Sequence, residues 1–209
     1  MSMILSIEPR SRRKGSYGLT LDDGRCLILH EEVIAKYRLQ SGMEVDTEQL
    51  SRWIFEADTK LAYEMSLQYL GYTAKSCSEL SEYLSRKGYI KPVIDATIDK
   101  LKNYSFLDDT AFAERWVRNK NAGKPVGRRW IAHELKGKGI APEILEGALE
   151  SITDEHEEDQ AYMLGERYYN KYKELPHKEL TAKIGQALLR RGFDWDTART
   201  VIGKLLSQK

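Results

Sequence analysis

The pattern Leu-x-x-basic-Gly-apolar occurs three times in this chain, and it constrains the fold more than any other feature. Its copies are Leu84, Lys87, Gly88, Tyr89, then Leu135, Lys138, Gly139, Ile140, then Leu188, Arg191, Gly192, Phe193, with the glycines 51 and 53 residues apart. Self-similarity at such a period is the signature of stacked repeat units. The match extends outward on both sides. Eight residues before each Gly stand Leu80, Ile131 and Ile184; ten after stand Ile98, Leu149 and Ile202; thirteen after stand Leu101, Ile152 and Leu205. Offsets of −8 and −4 place two apolar side chains on one face of a helix entering the Gly. Offsets of +10 and +13 do the same for a helix leaving it. The Gly is then the residue that ends a helix in the left-handed conformation, and the basic residue before it sits where a helix C-terminus favours a cation. A further helix is expected before each pair, over about residues 58–70, 110–121 and 157–173.

The first fifty residues read differently. Residues 17–21 and 25–29 are short apolar runs around Asp22-Asp23-Gly24, a hairpin signal because Gly tolerates the positive φ of the turn. Ile4, Leu5 and Ile7 add a third strand. Arg10, Ser11, Arg12, Arg13, Lys14 and Gly15 then form an exposed basic connection. Residues 31–39 read as a short helix stopped near Ser41-Gly42. The expected architecture is mainly α. A small β-rich head (1–55) precedes three tandem three-helix repeats (56–105, 106–153 and 154–209) that form an elongated, curved body.

Composition agrees with a folded chain. Of 209 residues, 41% are hydrophobic and 31% charged, which excludes a disordered, collagen-like or disulfide-built protein. Cys26 and Cys77 lie far apart in no C-x-x-C pair, so reduced thiols and an intracellular protein are expected. The apolar N-terminal stretch is too short for a signal sequence, and no run is long enough to span a membrane.

The net charge of +1 hides a segregation. Between Arg115 and Ile140 stand Arg115, Arg118, Lys120, Lys124, Arg128, Arg129, Lys136 and Lys138, with Glu134 as the only acid, a local charge of +7. Gly123, Pro125 and Gly127 mark a loop that holds several of these charges near one helix N-terminus. Basic side chains beside free backbone N–H groups suit phosphate contacts. Trp116 and Trp130 interleave, for stacking on bases or for core packing, the commoner fate of a helical Trp. Arg190 and Arg191 extend the stripe. From Glu143 to Asp159 eight acids stand without Lys or Arg, a charge of −8. That segment reads as acidic helix starts and an exposed linker, or as a patch for a basic partner.

These residues resemble the RecX family, regulators of the bacterial RecA recombinase. The most specific part is Leu107-Asp108-Asp109-x-x-Phe112-Ala113 followed by Gly127-Arg128-x-x-Ile131-x-x-Glu134-Leu135-x-x-Lys138-Gly139-Ile140. Ser78-x-Leu80-x-x-x-Leu84-x-x-Lys87-Gly88-Tyr89 matches in the first repeat; the third is looser, with a longer helix before its Gly. The head is similar to an extension found in some members. The resemblance implies a cytoplasmic protein without catalytic activity or cofactor. It implies binding in the groove of the RecA–DNA filament, and lowered RecA ATPase and strand exchange in DNA repair and the SOS response. Contact with single- or double-stranded DNA is expected to be weak or through RecA, and a monomer is expected. Arg115, Arg118, Lys120, Lys124, Arg128, Arg129, Lys136, Lys138, Arg190 and Arg191 are the candidate filament- or nucleic-acid-binding residues.

Other chemistry finds little support. Asp108-Asp109 precedes Thr110-Ala111-Phe112, where Asp serves better as a helix N-cap than as a metal ligand. His30, His133, His156 and His177 share no metal-ligand spacing. No G-x-S-x-G or phosphate-cradling G-x-x-x-x-G-K-[ST] is present. The rival reading is a stand-alone nucleic-acid-binding repeat protein, which predicts tight, steeply salt-dependent binding to bare nucleic acid.

Overall fold

The computed structural model describes residues 1–10 and 15–207, so the expected basic connection at 11–14 lies outside the described residues. The elements in chain order are β1 (Ser2–Pro9), β2 (Ser16–Leu21), β3 (Cys26–His30), α1 (Glu31–Tyr37), β4 (Glu44–Val45) and α2 (Thr47–Leu70). There follow α3 (Cys77–Arg86), α4 (Lys91–Asn103), α5 (Asp109–Asn121), α6 (Arg128–Gly137) and α7 (Pro142–Glu150). The last three are α8 (Asp154–Tyr172), α9 (His177–Arg190) and α10 (Trp195–Ser207). Two compact units form. The first comprises Met1–Ala74 and Leu80–Leu107; the second comprises Lys75–Glu79, the start of α3, and Asp108–Lys209.

In the first unit the sheet runs β3-β2-β1-β4, all antiparallel. The expected hairpin is present, and Gly24 takes φ +83° in its turn. Period-2 alternation puts Ile4, Leu19, Leu21 and Leu29 on one face, buried against Val33, Leu39 and Leu50. Tyr37 of α1 stacks on Trp53 of α2 with ring centres 3.7 Å apart.

Two boundaries in the first unit depart from the sequence reading. Helix α1 stops at Tyr37 because Arg38 turns left-handed at φ +52°, and Leu39 N–H then bonds Ile34 C=O. Gly42 serves a later turn into β4, a strand too short to leave a pattern. Helix α2 starts at Thr47 and runs unbroken to Leu70, where a helix starting at 58 was expected. Asp46 caps it, accepting Glu48 N–H at 2.9 Å, and no Gly or Pro interrupts residues 47–70. Its first half covers the sheet and its second half packs on α4.

The second unit holds two three-helix cores. Phe112, Ala113, Val117, Ile131, Leu135, Ile140 and Leu145 join α5, α6 and α7. Ala161, Leu164, Ile184, Leu188, Phe193, Val201 and Leu205 join α8, α9 and α10. Tyr162, Tyr168, Tyr169 and Tyr172 line the latter core. Gly165 lets α10 approach α8, since a Cβ there would lie 3.0 Å from both Val201 and Leu205.

The repeated pattern has a direct physical meaning. In each copy the Gly is left-handed, at φ +88° (Gly88), +70° (Gly139) and +81° (Gly192). Its own N–H bonds the C=O three residues back, and the apolar residue after it bonds the Leu C=O: Tyr89 to Leu84, Ile140 to Leu135, Phe193 to Leu188. These paired bonds are the Schellman motif, whose accompanying apolar contact is between the same two residues. Leu-x-x-basic-Gly-apolar is therefore a helix stop with its hydrophobic clasp. The −8 and −4 positions are wholly buried in all three copies.

Gly192 and Gly139 serve a second purpose. Gly127 N–H bonds Arg191 C=O at 2.8 Å and Arg129 N–H bonds Gly192 C=O at 3.3 Å, so the start of α6 rests on the end of α9 backbone to backbone. A Cβ on Gly192 would lie 2.3 Å from Trp130 N, and one on Gly139 2.3 Å from Ser78. A Cβ on Gly88 meets nothing within 4 Å. Gly192→Val should therefore destabilise the chain by roughly 3 kcal/mol through overpacking plus left-handed strain. Gly88→Ala should cost about 1 kcal/mol, from strain alone. Urea midpoints of the two variants check this; equal losses would refute the difference.

Candidate filament and nucleic-acid interface

The segment from Arg115 to Ile140 folds as α5, the loop 122–127 and α6. Its basic residues, together with Arg190 and Arg191, divide into two sets. Lys120, Arg128 and Lys138 are held by acids of the same chain. Arg115, Arg118, Lys124, Arg129, Lys136 and Arg190 are exposed, and Arg191 is half-buried.

Lys120 sits between two indoles, its Nζ 4.8 Å from the Trp116 ring centre and 4.5 Å from that of Trp130. Glu134 Oε2 accepts from Trp116 Nε1 and pairs with Lys120 Nζ, both at 3.0 Å. Lys138 Nζ lies 4.4 Å from the Trp116 ring centre and bonds Glu79 Oε1 at 2.8 Å. Alternating rings and ammonium groups thus lock α5 to α6 by cation–π attraction. Both tryptophans also pack on the α5–α7 core, the commoner fate weighed for them.

Arg128 is held by two acids, Asp154 and Glu157. Its Nη2 lies 2.8 Å from Asp154 and bonds Ile152 C=O. Its Nε approaches Glu157 Oε2 at 3.2 Å, an ion-pair contact without hydrogen-bond alignment; the aligned bond to Glu157 is the Arg128 backbone N–H to Oε1 at 2.9 Å. Glu157 is only 7% exposed. Contrary to expectation, the backbone N–H groups at this helix start are not free. Arg128 N–H goes to Glu157 and Arg129 N–H to Gly192, while Trp130 and Ile131 N–H go to Gly127 C=O. The protein's own carboxylate occupies the anion position that the helix N-terminus favours.

The acidic segment is resolved by the same contacts. Asp154, Glu155 and Glu157 lie in the first turn of α8, capped by Thr153, and Glu158 pairs with Lys204. Asp108 caps α5, accepting Ala111 N–H at 3.0 Å. Its neighbour Asp109 accepts Cys77 N–H at 2.9 Å. Among the described residues no three His, Cys, Asp or Glu side chains converge as metal ligands, and no helix is long and apolar enough to cross a membrane.

One element escaped the sequence reading although its signal was present: Ser76-x-x-Glu79, a capping box. Ser76 Oγ accepts Glu79 N–H and Glu79 Oε2 accepts Ser76 N–H, both at 3.1 Å. The spare atoms of this box face the end of α6. Ser76 Oγ donates to Lys138 C=O at 2.6 Å and Glu79 Oε1 takes the Lys138 ammonium. Burial alone would raise the Glu79 carboxyl; the Lys138 ammonium and the Ser76 N–H outweigh it and hold it below its ordinary value. A depressed carboxylate contributes stability that is present above its unfolded value and lost as pH falls through the folded one.

Arg128→Ala should cost about 3 kcal/mol by leaving Glu157 buried without its guanidinium. Arg129→Ala should stay within about 0.5 kcal/mol. Thermal unfolding of both checks the assignment, and equal effects would sink it. In an acid titration of stability, Glu79→Gln should remove part of the loss that the parent chain shows below the ordinary carboxylate range; an unchanged profile would exclude the Glu79–Lys138 pair as a contributor.

Comparison with known proteins agrees with this architecture. Three family models match: RecX, first three-helix domain, over residues 62–101; RecX, second three-helix domain, over 108–149; and RecX, third three-helix domain, over 155–202. The regulatory protein RecX of Bacillus licheniformis is 30% identical over 94% of this chain and 74% of its own length. That of Clostridium perfringens is 28% identical over 100% of this chain and 99% of its own. A crystal structure of regulatory protein RecX superposes with a TM-score of 0.69 and 26% identity, covering 96% of this chain and 98% of that one. A RecX structure from Lactobacillus salivarius gives 0.69 and 29% over 72% of this chain and 97% of that one. With all three of its helical triplets matched and its caps explained, the chain belongs to the RecX family of regulatory proteins.

Proposed function

We propose that this chain is a regulator without catalytic activity that binds the RecA–DNA filament and lowers RecA ATP hydrolysis and strand exchange. Membership of the RecX family supports a regulatory role. The observation that carries the electrostatic part is the division of the basic residues. Arg115, Arg118, Lys124, Arg129 and Lys136 are exposed and make no ion pair among the described residues. These, with Arg190 and Arg191, are the contacts we assign to phosphates or acidic filament surface. Lys120, Arg128 and Lys138 act instead by holding the helices that carry them. Contact with neighbouring filament subunits hinders the rearrangements that ATP turnover requires, or blocks addition at a filament end.

The test is ATP hydrolysis by RecA on single-stranded DNA with increasing amounts of this protein. The rate should fall well before stoichiometry. The variant with Arg115, Arg118, Arg129 and Lys136 all changed to Ala should inhibit more weakly while melting normally. Its binding should also lose about one unit of salt slope per phosphate contact removed. No change in hydrolysis at stoichiometric amounts would overturn the inhibitory reading, and stimulation would make the protein a positive modulator. Tight, steeply salt-dependent binding to bare DNA, unaffected by RecA, would favour the stand-alone nucleic-acid binder.

A further inference from the structure

The ends of α3, α6 and α9 are built alike, but only two are covered. The C=O of the basic residue and the Gly after it form the receiving surface. At the end of α9 it receives Gly127 N–H on Arg191 C=O, with Trp130 against Gly192. At the end of α6 it receives the Ser76 hydroxyl on Lys138 C=O, with Ser78 against Gly139 and Glu79 on the Lys138 ammonium. Ser76 and Gly127 both lie twelve residues before the Gly of their own repeat, so one geometry is used twice. The same surface recurs at Lys87-Gly88, with the left-handed Gly and the Schellman bonds in place. There a Cβ on Gly88 meets nothing within 4 Å, and Lys87 and Ile90 are exposed. Among the described residues no backbone N–H donates to Lys87 C=O or Gly88 C=O.

We propose that this open end of α3, at Lys87-Gly88, docks the first turn of a helix of another protein, one opening with a capping box of Ser or Thr and, three residues on, Glu. The hydroxyl of that box meets Lys87 C=O, its carboxylate meets the Lys87 ammonium, and its backbone fits over Gly88. Charge selects the same partner, since Arg86 and Lys87 are both exposed cations at the site. A second copy of this chain does not supply it. Ser76–Glu79 is already engaged on Lys138. The remaining middle helix, α9, starts at Pro176, sixteen residues before Gly192, a turn longer and with neither hydroxyl nor N–H at its cap. This docking goes beyond the filament-binding reading and holds or fails without it.

The probe is an acetylated, lactam-stapled helical peptide carrying the sequence of residues 75–86, titrated into the full-length, nitrogen-15-labelled chain. Amide shifts should change saturably at Lys87, Gly88 and Tyr89. A peptide with Ala in place of the capping Ser and Glu should leave them still. Lys87→Glu, an exposed change that leaves the helix content intact, should weaken the peptide by about fivefold. No shift at millimolar peptide would overturn the proposal. So would equal shifts with the Ala peptide, or shifts at Lys138–Ile140, which would mean that the probe only displaces the chain's own capping box.

Discussion

A left-handed glycine closes each middle helix, and the rest of the helical architecture depends on that geometry. Reversal at Gly88, Gly139 and Gly192 brings the following apolar residue back onto the Leu four positions before the Gly. The next helix can then leave in a direction that closes a three-helix core. At Gly139 and Gly192 the missing Cβ also admits a neighbouring helix start at backbone distance. Local conformation and packing between helices thus meet in one atom that is not there. A side chain would be opposed by both, since strain from positive φ and collision with the neighbour act together.

Charge in this protein works at two depths. Acids from α3, α6 and α8 hold Lys138, Lys120 and Arg128, and aromatic faces flank the two lysines. Partial burial makes these pairs structural, because removing one partner strands the other in a poor solvent. The cations farther out keep their hydration and stay available to long-range steering. The +7 and −8 segments are therefore partners in folding as much as opposed surfaces.

Much of this was legible in the sequence. The period of the Leu-x-x-basic-Gly-apolar pattern located the helical triplets, because a Schellman stop demands both Gly and its apolar clasp. The Asp22-Asp23-Gly24 hairpin was legible for the same reason: only a few residues tolerate positive φ. The end of α1 was not, since Arg38 adopts that φ under tertiary constraint with no compositional mark. The division of the basic cluster was hidden as well. Arg128 and Arg129 are adjacent and chemically identical, yet helix rotation turns one toward Glu157 and the other toward solvent. Long-range pairing of Glu79 with Lys138 leaves only the faint trace of Ser76-x-x-Glu79.

The unbroken helix α2 bears on how the head can be gained or lost. Its first half is the lid of the β-sheet core and its second half is a wall of the first helical triplet, so no seam runs between them. Deleting residues up to 55 would cut a helix in mid-turn and strip Trp53 and Ile54 from the sheet they cover. The natural cut is at Asp46, where a cap already exists. A cut there would keep the cap but bare the sheet-facing stripe of this helix, Leu50, Trp53 and Ile54. Modularity here is a property of helix ends rather than of domains.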